Sequence, residues 1–201
     1  MIKLSARELE KLSKAMGTSI EIPEKKKRTA FDRLKDATDT MNEKGINDKI
    51  YFNDNFTICI LEFRNIAFLS NNDLLRIDNR EIYKFKMAWH HRVEELVKTT
   101  NLTKWNQTKE SPILIEFMYK TKNAQQYDPD AIVSAFKSTL DGLVKSGMIL
   151  DDKVEHIPLI IPRQEKTKKE NSLFIVLSRL DNIEKYYSET FKKVINNFTK
   201  A

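Results

Sequence analysis

The sequence predicts an α/β (α+β) protein: a small mixed β-sheet with a central helix packed on it, plus helical additions at the N- and C-termini. Apolar runs rich in β-branched and aromatic residues, which are typical of strands, occur at 50–63, 113–120, 156–162 and 172–180. Between the second and third of them, residues 130–147 show the apolar spacing of a helix. Strands that alternate with helices in this way favour a mixed sheet.

The length of 201 residues suits one core with terminal additions. We expect a helical N-terminal appendage with a basic linker at 1–45 and a main domain at 46–180. A C-terminal helix at 181–201 should pack on the same domain.

Composition indicates a soluble protein, because 40% of the residues are hydrophobic and 32% are charged. No apolar run approaches the ~20 residues of a membrane span, and the N-terminus lacks the apolar core of a secretory signal. Cys59 is the only cysteine, which fits a reducing compartment. We therefore expect a cytoplasmic protein with no membrane contact.

The N-terminal region predicts two helices. Residues 2–16 begin with a Ser5–Glu8 capping box, and a polar linker with a basic run, 18–28, follows. The second helix, 31–41, has a thin apolar stripe, so we expect it to dock weakly.

The middle of the chain predicts a strand at 50–63, a loop at Asn71–Asp73 and a helix from Tyr83. His90 and His91 lie in that helix about 100° apart, which disfavours joint ligation of one metal.

The second half predicts a polar loop at 101–111 and a central strand at 113–120. Strands 156–162 and 172–180 should form a hairpin around the basic loop 163–171. A final helix, 181–198, starts with an Asp181 cap.

Four carboxylates bracket the central helix, Asp128 and Asp130 before it and Asp151 and Asp152 after it. Grouped carboxylates repel one another, and a hard divalent cation such as Mg²⁺ would offset that repulsion. Lys137 lies within the helix, on the stripe of Asp130.

Pro129 should hold Asp128 extended and leave Asp130 as the helix cap, so both carboxylates can face one ion. Asp151 and Asp152 can join them only if the chain folds back along the helix into a strand beside 113–120. A helix cap followed by an unrelated acidic turn explains the same residues, and the spacing alone leaves both interpretations open.

Net charge is +6 with a pI near 9.2. Lys and Arg cluster at 25–28, at 76–86 and at 163–169. Such clusters can bind a nucleic-acid backbone, and they can equally be solvated faces.

The central stretch resembles the RusA family of Holliday junction resolvases. The family pattern is an Asp-x-Asp-Asn group, a helical Lys, Asp-Ala-Leu, a Lys-x-Gly turn and Asp-Asp. Lys137, Asp141-Gly142-Leu143, Lys145-Ser146-Gly147 and Asp151-Asp152 match in register without a gap. The resemblance covers roughly residues 50–180, and it implies a RusA-like fold.

The resemblance also implies an activity. Asp128, Asp130 and Asp152 would bind Mg²⁺ (or Mn²⁺), Asp151 would support them, and Lys137 would assist catalysis. A homodimer would cut a four-way DNA junction symmetrically, with no small-molecule cofactor. The expected DNA-binding residues are Asn72, Arg76, Arg80, Lys84, Lys86, Lys122, Lys166 and Lys168.

Two departures from the pattern keep alternatives open. Lys137 follows Asp130 three residues later than in the family, and Ala131 stands where the family has Asn. A catalytically silent DNA-binding or regulatory protein on the same scaffold is one alternative. A structural module bound by protein partners through the N-terminal helices is another.

Overall fold

The computed structural model describes residues 11, 14–15, 29–42, 47–100, 105, 111–122 and 125–180. The strands are β1 (Lys49–Phe52), β2 (Ile58–Arg64), β3 (Ile113–Thr121), β4 (Leu159–Lys166) and β5 (Ser172–Arg179). The helices are α1 (Ala30–Met41), α2 (Asn71–Leu74), α3 (Asn79–Lys98), α4 (Pro129–Ala135) and α5 (Lys137–Lys145). The predicted mixed α/β class is confirmed. The predicted helix 181–198, the linker 18–28 and nearly all of helix 2–16 and loop 101–111 lie outside the described residues.

The five strands form one sheet in the order β1-β2-β5-β3-β4. Every neighbouring pair is antiparallel except β3 and β4, which run parallel with Leu114 opposite Leu159 and Thr121 opposite Lys166. Parallel neighbours need a long crossover connection, and α4 and α5 provide it. A strand beside 113–120 after the central helix was the condition for bringing Asp151 and Asp152 back along that helix, and β4 meets it.

The predicted strand at 50–63 is wrong as a single element, because it is a hairpin of β1 and β2. Asn53 breaks the run: its Oδ1 accepts hydrogen bonds from the backbone N–H of Thr57 (2.8 Å) and Ile58 (2.9 Å). Phe56 adopts a φ of 53° within this turn. Asn side chains commonly close turns in this way.

The predicted hairpin of 156–162 with 172–180 is also wrong. β4 and β5 lie on opposite sides of β3, and the loop between them crosses the end of that strand. Thr167 N–H donates to the Thr121 carbonyl at 2.9 Å, and Lys122 N–H donates to Asn171 Oδ1 at 3.0 Å. β3 is the strand with most buried positions, and pairing on both edges satisfies its backbone groups.

The N-terminal part of the described chain is well packed. α1 begins at a Thr29–Asp32 capping box and buries Leu34, Ala37 and Met41 in the main core. It packs against α3, so it docks more closely than its thin stripe predicted. The predicted loop at Asn71–Asp73 is wrong, since those residues form most of α2. α3 starts at Asn79, four residues before the predicted position, because Asp78 caps it.

The central helix is two helices, separated at Phe136. The Phe136 ring is 1% exposed and contacts the rings of Phe68, Trp89, Phe117 and Tyr119 at centroid distances of 5.6–6.2 Å. The residue leaves helical geometry, with φ −106° and ψ 10°, and α5 starts directly after it. Gly147 ends the segment at φ 74°, a left-handed conformation that favours glycine after a helix.

The core is built from these rings and from apolar residues of every strand. Cys59 on β2 is fully buried, and burial raises the pKa of its thiol. Burial likewise raises the pKa of Tyr119 to about 12. Among the described residues, no helix has the length and apolarity needed to span a bilayer.

Candidate functional site

The first acidic pair marks the start of α4. Asp128 is extended, as predicted, with φ −64° and ψ 148°, but it is itself the N-cap, and Pro129 is the first helical residue. The prediction that Asp130 caps the helix is therefore wrong: Asp130 lies in the first turn, where Pro129 before it suits the N1 position. Side chains two residues apart point the same way in an extended segment but not in a helical turn. Because Asp130 is helical, there is no longer a reason to expect the carboxylates of Asp128 and Asp130 to face the same way.

The chain leading to Asp128 is held firmly against the sheet. The Tyr127 ring stacks on Phe68 with a centroid distance of 3.9 Å and an interplanar angle of 22°. Gln164 on β4 accepts a hydrogen bond from Tyr127 N–H (2.9 Å) and donates one to the Gln125 carbonyl (2.7 Å). Asp128 has no side-chain cap hydrogen bond, and both it and Asp130 are exposed. Their carboxylates point into solvent from a fixed backbone.

The second acidic pair lies in the turn after α5, where the chain folds back as the metal hypothesis required. Met148 N–H donates to the Leu143 carbonyl at 3.0 Å, and the buried Trp105 donates from Nε1 to the Met148 carbonyl at 3.2 Å. Met148 and Ile149 are only 1% and 2% exposed. These contacts anchor the segment that carries Asp151 and Asp152.

Asp152 and Lys137 are brought together by this turn. The Lys137 Nζ lies 3.9 Å from Asp152 Oδ2, and both side chains remain substantially exposed, at 66% and 39%. Asp151 is engaged differently: its carboxylate accepts from Lys153 Nζ at 2.8 Å and from the backbone N–H of Asp152 at 2.8 Å. The Lys153 ammonium holds the pKa of the Asp151 carboxyl below its usual range. Asp151 is thus occupied by a neighbouring cation.

The three predicted metal ligands are not assembled as one set. Asp128 and Asp130 belong to the start of α4, whereas Asp152 lies alongside α5. Within the described ranges, no three His, Cys, Asp or Glu side chains are grouped closely enough to hold a metal ion. The predicted stripe that joins Asp130 to Lys137 needs one continuous helix, and the break at Phe136 removes that continuity.

A buried histidine that the sequence did not single out for the site lies beside it. His90 on α3 is 6% exposed, and its Nδ1 lies 2.9 Å from Lys145 Nζ. Since an ammonium only donates, Nδ1 is the acceptor and the ring is neutral. Burial, followed by the charge of Lys145, lowers the pKa of His90. His90, Asp141, Lys145 and Asp152 line a small cavity of about 300 Å³.

No local signal could have paired His90 with Lys145, because the two residues lie on different helices. Lys145 and Asp141 belong to the matched motif, and both line the cavity beside His90. The structure adds α3 as the second wall of the site, packed so closely that a Cβ on Gly142 would meet Val93 Cβ at 3.1 Å.

The eight predicted DNA-binding residues are all exposed: Asn72, Arg76, Arg80, Lys84, Lys86, Lys122, Lys166 and Lys168. The first five lie on α2, on the early part of α3 or on the loop between these helices. The last three lie at the carboxyl ends of β3 and β4, where Lys166 is opposite Thr121. Lys84 also pairs with Glu81 at 2.6 Å. The cations therefore form two groups.

In comparisons with known proteins, no family model matches the chain, and no curated protein matches it. The resemblance to the RusA family rests on the motif residues and stays a prediction.

Proposed function

We propose that this protein is a Mg²⁺-dependent, structure-selective endonuclease that resolves four-way junctions or other branched DNA. The observation that carries the proposal is the approach of Lys137 Nζ to Asp152 Oδ2, at 3.9 Å. These residues lie at the two ends of the matched motif run, and a turn anchored in the core brings them together. A cation beside a carboxylate on an exposed surface is an arrangement that can bind a phosphate with its metal counter-ion.

Both groups remain available to a substrate. An ion pair between exposed side chains contributes only about 0–1 kcal/mol, and 3.9 Å is near the limit for such a pair. Little free energy is therefore lost when Lys137 turns to a phosphate oxygen and Asp152 to a metal. Asp151 differs, because Lys153 holds it at 2.8 Å. Asp151 is therefore better suited to orienting the turn that carries Asp152 than to binding the metal ion itself.

The exposed carboxylates have the oxygen donors that Mg²⁺ prefers, but the described residues do not gather three of them. Mg²⁺ commonly binds proteins through one or two carboxylates, with water and substrate phosphate oxygens as its other ligands. Asp152, or the pair Asp128 and Asp130, would hold it in that manner. When bound, the ion would activate a water molecule and neutralise charge on the phosphate. Lys137 would stabilise the negative oxygen that develops next to it.

The two groups of exposed cations suit contacts with the DNA backbone, which position a duplex without reading its sequence. Selectivity for a branch would then come from shape. A homodimer with two-fold symmetry would match a two-fold junction and belongs to the proposal, as does action in the cytoplasm, where the Cys59 thiol would stay reduced.

The test is cleavage of a synthetic mobile four-way junction with and without Mg²⁺, beside the variant Asp152→Asn. The variant keeps the size of the side chain and removes its charge. We expect junction binding within a few fold of the wild type and cleavage reduced at least 100-fold. Asp130→Asn should behave in the same direction.

Asp54→Asn is the matched control, because Asp54 is an exposed aspartate in the β1–β2 turn, at the sheet edge opposite β4. It should cut at the wild-type rate. Wild-type cleavage by Asp152→Asn would refute the site assignment.

A catalytically silent DNA-binding or regulatory protein is the second candidate. The observation that favours it is the separation of Asp128 and Asp130 from Asp152, together with Ala131 at the family's Asn position. Binding of junctions with a steep salt dependence, without cleavage in Mg²⁺ or Mn²⁺, would support this candidate. Absence of DNA binding at low salt would exclude both functions.

A further inference from the structure

A groove lies directly beside Lys137, between the α2–α3 region and the junction of α4 with α5. It encloses about 490 Å³, which is within the range of about 300–1,000 Å³ of small-ligand sites. Its apolar lining consists of Leu74, Leu75, Ile77, Ile82, Phe85 and Ala135. The wall is mostly aliphatic.

Leu75 is the unusual member of this lining. It is 83% exposed, more than any other large apolar side chain in the described part of the chain. A single exposed leucine is ordinary, but this one lines an apolar groove and is followed in sequence by the exposed Arg76. An apolar side chain next to a cation at the edge of a groove is suited to insertion between bases while the cation contacts phosphate.

The charges around the groove favour a nucleotide over an uncharged ligand. Lys86 and Lys137 line it from α3 and from the first residue of α5, and both are exposed. Asp141 is the single acidic lining residue. Asn79 and Ser138 add groups that can donate and accept hydrogen bonds along the edge of a base. The groove therefore combines an apolar wall, polar groups and two exposed cations.

We propose that this groove receives one nucleobase unstacked from the branch point of the DNA, with Leu75 filling the gap that the base leaves. This inference rests on the proposed function, because it assigns a substrate contact to the same site. In the open form of a four-way junction, the bases at the branch lack the stacking partner that continues a duplex. The cost of extruding a base falls when it is already unpaired or poorly stacked. The proposal thus explains selectivity for branches without sequence readout.

The experiment places 2-aminopurine at the branch point of a four-way junction and a dye at the end of one arm. Dye anisotropy measures binding, and 2-aminopurine emission rises when the base leaves the stack. The full chain carries Asp152→Asn so that the DNA stays intact, and Asp152 does not line the groove. We expect emission to rise as anisotropy saturates.

Two variants test the two parts of the proposal, the inserted side chain and the groove. Leu75→Ser deletes the inserting side chain, and Ser134→Phe fills the groove from α4. Each should bring emission back to the level of the free junction at saturating anisotropy. Val154→Ser is the control for the first, because Val154 is 78% exposed and does not line the groove. Ser134→Ala is the control for the second, because it loses the hydroxyl and leaves the groove open.

The outcomes separate this inference from the proposed function. Absence of binding by anisotropy overturns both. Binding without a rise in emission, or a rise that survives Leu75→Ser and Ser134→Phe, overturns the groove alone. Sedimentation of the same proteins tests another occupant: if Ser134→Phe converts a dimer to a monomer, a second copy of the chain covers the groove and the nucleobase proposal is wrong.

Discussion

The ion pair between Arg92 and Asp48 connects the β1–β2 hairpin to α3, the helix that carries His90 and Lys86. Arg92 donates from Nε to Asp48 Oδ2 at 2.6 Å and from Nη2 to Asp48 Oδ1 at 2.7 Å, and Nη2 also donates to the Arg64 carbonyl. The side chains of Arg92 and Asp48 are 6% and 9% exposed. We therefore expect Arg92→Met to destabilise the fold strongly.

The magnitude follows from what the substitution leaves behind. Asp48 would keep one hydrogen bond, from Arg64 N–H at 2.9 Å, while its charge stayed buried. Removal of one partner of a buried pair costs about 3–5 kcal/mol. The lost contacts of the Arg92 guanidinium with the rings of Phe63 (5.7 Å) and Trp89 (5.9 Å) add to this cost. A total near 4 kcal/mol is a large share of the roughly 5–15 kcal/mol that stabilises a domain.

Urea unfolding followed by circular dichroism measures this loss as a lower transition midpoint. The double variant Asp48→Asn with Arg92→Met should recover much of it, because no buried charge remains. Lys84→Met is the matched control, since it removes a cation from the same helix whose partner Glu81 is solvent-accessible, and it should cost under about 0.5 kcal/mol. A loss below 1 kcal/mol for Arg92→Met, or additive effects in the double variant, would refute the reasoning.

Two further predictions concern the helices around the site. Gly147→Ala should destabilise the fold by roughly 1–2 kcal/mol, because Gly147 has a φ of 74° and an alanine in this left-handed conformation is strained. Gly147→Asn should cost less, since asparagine tolerates this conformation better. The melting temperatures of the wild type and the two variants test both expectations. His90 has a pKa lowered from 6.5 by burial and by Lys145, so the unfolded state binds the proton first as pH falls. Stability should therefore decrease below about pH 6.5, and His90→Gln should flatten the change in melting temperature between pH 7.5 and pH 5; an unchanged slope would contradict the assignment.

Elements with a complete local signal were predictable from the sequence. The helical pattern that starts at Tyr83 predicts α3, and its apolar residues Phe85, Trp89, Val93 and Leu96 are all buried. The apolar and β-branched run at 113–120 predicted β3 almost to its ends. The helical spacing of 130–147 ends at Gly147, which adopts the left-handed conformation common after a helix. In each case, the residues that determine the structure lie within one short segment of the sequence.

Strand partners were not predictable in this way. The basic stretch 163–171 predicts a hairpin loop, but residues 163–166 belong to β4, and β5 pairs with β3 and β2 instead. That choice depends on the whole sheet, since β3 needs partners on both edges and a loop of suitable length can cross its end. Likewise, the contact between His90 and Lys145 follows from the packing of α3 on α5, which periodicity does not encode.

Phe136 shows how packing redefines the site. In one continuous helix from Asp130, the number of residues between Asp130 and Lys137 would fix the direction of the Lys137 side chain. The three extra residues relative to the family pattern would then move Lys137 by nearly one turn. The aromatic cluster draws Phe136 inward, the helix breaks, and α5 restarts at Lys137. The position of Lys137 is then set by α5 and by the turn that carries Asp152, and the three-residue departure from the family pattern lies on the other side of the break. Asp152→Asn is for this reason the variant that tests the site most directly, because Asp152 lies next to Lys137, whereas Asp130 lies in α4, across the break.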